Sequence, residues 1–145
     1  MNTPRTIPVW DAALRQFHWL LVAAMALAAV TGFLLNATWL AWHVAGGLTA
    51  LALVLFRLIW GFMGSDTARF SDFLRGPGAA LAYAKALARG ETPLYLGHNP
   101  MGGWSIVALL TLLLIQAGTG LFANDDILIE GPLYGWVSKS ASDWL

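Results

Sequence analysis

Three long apolar runs constrain this chain more than any other feature: Phe17 to Leu35 (FHWLLVAAMALAAVTGFLL), Leu40 to Met63 (LAWHVAGGLTALALVLFRLIWGFM) and Gly103 to Phe122 (GWSIVALLTLLLIQAGTGLF). Each is close to the roughly 20 residues that an α-helix needs to cross about 30 Å of hydrocarbon. Lipid offers no hydrogen bonds, so a crossing backbone must satisfy its own N–H and C=O groups, and each run is expected to be helical. Charged residues make up only 11% of the 145-residue chain, against about a quarter in soluble domains. Nearly all of them lie outside the runs; Arg57 is the exception. The expected fold is an all-α integral membrane bundle forming a single domain over residues 1–145. Ala26, Leu27 and Ala28 resemble a signal-peptide cleavage site, but the run is long for a signal and two more follow it, so it is expected to stay as a span.

Charge distribution orients the bundle. The N-terminal arm carries Arg5 and Arg15 against Asp11, and the first link, Asn36 to Trp39, is uncharged. The second link carries Arg69, Arg75, Lys85 and Arg89 against Asp66, Asp72 and Glu91. Beyond the third run stand Asp125, Asp126, Glu130 and Asp143, opposed by Lys139 alone. The basic side faces the cytoplasm, which predicts a multi-pass protein of a bacterial inner membrane, with its N-terminus inside and the last segment outside. Trp10, Trp19, Trp60 and Trp104 fall near the inner boundary and Trp39 and Trp42 near the outer one, as expected of an aromatic belt; Trp136 and Trp144 belong to the outer segment. In the inner link, Ala79 to Arg89 reads as a short interfacial helix after the Gly76-Pro77-Gly78 turn, and Asn99-Pro100 leads into the third run. Ile127 to Val137 is too short and interrupted to be a fourth span.

Several function classes drop out. The formal net charge is zero, so no basic surface recommends nucleic acid. The absence of cysteine removes disulfides, thiolate metal sites and covalent c-type haem from this chain. No nucleotide-binding glycine loop, HExxH pair or nucleophile–base pair is present.

The intramembrane polar residues are the functional candidates. His18 lies at the inner end of the first run and His43 at the outer end of the second, so at 1.5 Å per residue their depths differ by roughly 20–25 Å. They cannot share one metal ion or one haem; each is placed to serve its own haem, or to bond a neighbouring helix. On a 3.6-residue period His43, Gly47, Ala50, Val54, Arg57 and Gly61 form one stripe, and His18, Val22, Met25, Ala29 and Gly32 another. Arg57 falls at the depth of His18, where its guanidinium either pairs with a haem propionate or snorkels to the headgroups. Gln116 is expected to face the bundle and bond another helix or a cofactor edge. His98, in GHNP, is a turn residue or a contact for a propionate or a quinone headgroup.

Read together, these stretches carry a resemblance. VWDAALRQFHWLL around His18, WHVAGG around His43, LVLFRLIWGFMGSDTARFSDFLRGP from Leu53 to Pro77, and YLGHNPMGGWSIVALLTLLLIQAGTGLF from Tyr95 to Phe122 resemble the bacterial cytochrome b561 and nickel–iron hydrogenase b-type cytochrome family, in order and spacing across almost the whole chain. The resemblance implies four transmembrane helices holding two b haems with bis-histidine ligation, and His18 and His43 match the first two ligand positions. The fourth helix would supply the other two histidines, yet the sequence stops at Leu145 before any such span. The domain is therefore expected to be C-terminally incomplete; incomplete haem binding, or a helix from another polypeptide, are the alternatives. The implied function is electron transfer between a membrane quinone pool and a c-type cytochrome, a hydrogenase or another oxidoreductase, with a homodimer as a further expectation. A membrane anchor or assembly subunit without redox activity is the competing reading.

Overall fold

The computed structural model describes residues 10–95, 97–127 and 130–145; Arg5 of the N-terminal arm lies outside them, as do positions 96, 128 and 129 within the quoted segments. The regular elements among the described residues are all helical, with a single isolated bridge between Asn124 and Glu130. Helix α1 runs Ala12–Ala29 and continues as a π-helical turn, Val30–Leu34. A 3₁₀ turn at Ala37–Trp39 leads into α2, Leu40–Met63. The inner link holds α3 (Phe70–Phe73) and α4 (Pro77–Ala88); α5 spans Pro100–Gly120 and α6 is Lys139–Trp144. Three helices are long and apolar enough to cross a membrane, at Ala12–Leu34, Ala37–Met63 and Pro100–Gly120.

The helix starts differ from those read by hydropathy, and capping accounts for the difference. Asp11 accepts from the Leu14 N–H at 2.7 Å and starts α1 five residues before Phe17. Asn99 accepts from the Gly102 N–H at 2.8 Å, with Pro100 as the first helical residue of α5. Pro77 likewise opens α4, two residues before Ala79. Each arrangement uses an orphan N–H or a residue lacking one, features that apolar content does not register.

Helix α2 is central: 28% of its span is buried, against 11% for each of the other two. Phe17, Val54 and Leu110 form the buried junction of the three spans. Outside it, Phe33, Phe62, Trp19 and Leu112 are exposed, which is tolerable only where the solvent is hydrocarbon. Gly46 brings α2 against α1, since a Cβ there would stand 3.1 Å from the Ala24 carbonyl oxygen and 3.3 Å from the Ala28 methyl. The packed face of α2 is thus Gly46, Ala50, Val54, Arg57 and Gly61. Gly47, placed on this stripe by the sequence period, instead faces open space, where an added Cβ would meet nothing within 4 Å. On α1 the buried residues are Phe17 and Ala24, with Thr31 beyond them, while His18, Val22, Met25 and Ala29 are exposed.

The inner link folds under the bundle. Phe70 lies against Gly61, Phe73 against Gly103, and the Trp104 indole N–H donates to the Arg75 carbonyl at 2.9 Å. At the other end, the Ser142 hydroxyl donates to the Phe122 carbonyl at 2.8 Å and the Leu133 N–H to that of Leu121 at 2.8 Å. These bonds hold the segment after α5, α6 included, against the C-terminus of α5.

Candidate functional site

Where the inner ends of α1 and α2 meet the inner link, a cleft of about 620 Å³ opens, a size typical of cofactor pockets. His18, Arg57 and His98, three candidates from separate parts of the sequence, line it together with Trp10, Arg15 and Trp19. Leu14, Phe17, Ile106 and Leu109 make the rest of its wall apolar. Arg15 precedes His18 by three residues on α1, a spacing that puts both side chains on one face. That spacing was the sequence signal for Arg15, which hydropathy and charge counting did not single out.

Arg57 does not snorkel. It is 2% exposed, and one guanidinium nitrogen, Nη2, donates to the Ala68 carbonyl at 3.1 Å. Its Cζ lies 4.8 Å from the centre of the Phe70 ring and 5.7 Å from that of Phe73. The other terminal nitrogen, Nη1, is buried and has no hydrogen-bond partner. An unmet buried donor costs about 1–3 kcal/mol, more when charged, so this corner of the cleft favours an anionic acceptor. His98 sits between aromatic rings, 5.4 Å from Trp10 and 5.1 Å from Phe73. Burial, and then the charge of Arg57, push its pKa below the usual histidine value. Near neutral pH it is therefore mainly the neutral imidazole.

His43 occupies the opposite end of the bundle. Its Nδ1 lies 2.8 Å from the Ala28 carbonyl oxygen; a carbonyl only accepts, so Nδ1 is the donor of this bond, an arrangement that in the neutral ring leaves the lone pair on Nε2. The ring also lies over Gly32, where a Cβ would come within 2.8 Å of Nδ1. Gly32 belongs to the π-helical turn, whose Thr31 hydroxyl donates back to the Leu27 carbonyl at 2.6 Å. Ala28 and Gly32 are 10 to 14 residues along α1 from His18, which separates the two histidines by roughly 15–21 Å. Among the described residues no three His, Asp or Glu side chains converge as a metal-binding cluster. Gln116 is exposed on α5 and forms no side-chain hydrogen bond to another described helix, unlike the bundle-facing position expected of it.

Comparison with known proteins adds one finding. The family model described as prokaryotic cytochrome b561 matches residues 9–144. No curated protein and no solved structure matches the chain.

Proposed function

Since the chain belongs to the prokaryotic cytochrome b561 family, we propose that it carries electrons across the membrane on two b-type haems, one held by His18 and the other by His43. Membership itself brings b-type haem and transmembrane electron transfer; the number of haems and the residues that hold them are the reading proposed. The observation that carries it is Arg57, which lines the same cleft as His18 and keeps a buried Nη1 without a hydrogen-bond partner. A haem brings carboxylates on a flat apolar body, which suits a cleft with an apolar wall and one unmet cationic donor. At the outer end, the His43 imidazole has its Nδ1–H engaged and Nε2 left for an iron, the arrangement that commonly fixes a ligating histidine. Gly47, one turn from His43, presents bare backbone to open space, as a porphyrin face requires.

When bound, haem supplies a one-electron carrier in its iron. The chain orients it and sets its environment. His18 and His43 would each hold one haem through an imidazole nitrogen, with further histidines expected from a fourth helix by the family resemblance. Arg57 pairs with a carboxylate and adds positive charge near the inner site, while Leu14, Phe17, Ile106 and Leu109 keep water from it. His98, neutral in its aromatic slot, adds no second charge. Electrons pass between a quinone pool and a c-type cytochrome, hydrogenase or other oxidoreductase of the inner membrane, with the His18 side cytoplasmic. The test is difference spectroscopy on native membranes carrying His18→Ala or His43→Ala. Each variant is expected to lose one b-type component and keep the other; full haem content in both would exclude these ligands.

A further inference from the structure

Asp11 is the least conspicuous charged residue near the cleft, and the most connected. One carboxylate oxygen caps α1 by accepting from the Leu14 N–H at 2.7 Å. The other accepts from the Trp60 indole N–H at 3.1 Å, on the last turn of α2, and from the Ser65 hydroxyl at 2.5 Å, just beyond that helix. The carboxylate therefore ties the start of α1 to the end of α2, across 49 and 54 residues of sequence. His18 follows Asp11 by seven residues, about two turns along the same face, and Trp10 beside it packs on His98. Asp11 is also the acidic group whose charge acts on buried Arg57. Its hydrogen bonds, working against partial burial, hold its carboxyl below the usual carboxylate range, so it is charged at neutral pH.

We propose that Asp11 is a positioning residue for the inner haem: it fixes the height of His18 against Arg57 and offsets part of the positive charge of Arg57 at the haem edge. This rests on the Arg57 reading above. A latch alone and a latch that is also a counter-charge differ in what they predict. Asp11→Asn keeps a capping oxygen for Leu14 but removes the charge and puts an amide donor where the Trp60 N–H needs an acceptor, whereas Ser65→Ala loosens the latch and leaves the charge. Asp11→Asn should therefore raise the midpoint potential of the inner haem, because a nearby negative charge favours the oxidised form. Arg57→Leu should lower that potential, and the double variant should return it toward wild type. The latch has a readout that needs no haem. In thermal unfolding of the haem-free protein in detergent, Asp11→Ala and Ser65→Ala should each lower the transition, and their combination by less than the sum.

A redox titration of the four proteins in native membranes, paired with the unfolding series, tests both parts. An unmoved inner potential in Asp11→Asn beside a lowered one in Arg57→Leu overturns the counter-charge role alone. Unmoved potentials in both overturn it together with the Arg57 reading, and strictly additive unfolding shifts for Asp11 and Ser65 overturn the latch.

Discussion

Arg57 is costly to keep where it is: a guanidinium 2% exposed, partnered by one carbonyl and two aromatic rings, with one donor unmet. In the proposed reading a haem carboxylate meeting Arg57 would remove that cost and leave a positive charge beside the inner haem, where it would stabilise the reduced form. Arg57→Leu is accordingly expected to lower the inner potential while the His43-side haem scarcely moves, because the interaction of a charge falls with distance, as read by a titration that resolves the two. His43 depends on a glycine in a comparable way. Gly32→Ala would push a methyl to 2.8 Å from Nδ1 and displace the ring from the Ala28 carbonyl. Losing such an orienting bond typically costs 10–100-fold in metal affinity. The variant should shed the outer haem and retain the inner one, measured as haem released during purification. Periodicity made Arg57 legible in the sequence, since a charge on an otherwise apolar stripe stands out. It did not distinguish Gly46 from Gly47, because residues three and four before Ala50 lie on either side of its face. Only the side on which α1 packs decides between them.

Between elements, the glycines of α2 divide the labour. Gly46 sets the approach of α1, and Gly47 faces open space. Gly46→Leu should therefore force α1 and α2 apart and lower stability by about 1–3 kcal/mol, as overpacking does. Gly47→Leu should leave the unfolding transition of the haem-free protein in place but reduce haem at the His43 site. Thermal unfolding and haem content, measured on both variants, check the pair. The spans themselves were plain in the sequence, and α2 runs Leu40–Met63 as read. Their starts were less plain, because Asp11, Asn99 and the prolines at 77 and 100 act through caps that hydropathy ignores. The cleft was harder still. Asp11, counted in the sequence only as an acidic residue, owes its role to Trp60 and Ser65, partners that folding alone brings near. Two inner tryptophans expected as belt residues are similarly tied to the protein, Trp60 to Asp11 and Trp104 to the Arg75 carbonyl.

At the scale of the whole molecule, three spans put the inner link and the segment after α5 on opposite sides, and the proposed orientation, drawn from the excess of Lys and Arg, puts the inner link in the cytoplasm. Reporter fusions after Glu91 are expected to give the cytoplasmic signal and fusions after Asp126 the outer one; the reverse pattern would invert the sides assigned to the two haems. Opposed histidines roughly 15–21 Å apart along the bundle suit two stations of the proposed electron path, and His43 also ties α2 to α1 through the Ala28 carbonyl. That path is the central claim, and it is tested most directly by the reduced-minus-oxidised spectrum of the protein purified from its native membranes, with extracted haem counted per chain. The account predicts a b-type α band and two haems per chain. A preparation from haem-sufficient cells that shows no such band and retains no haem would contradict it.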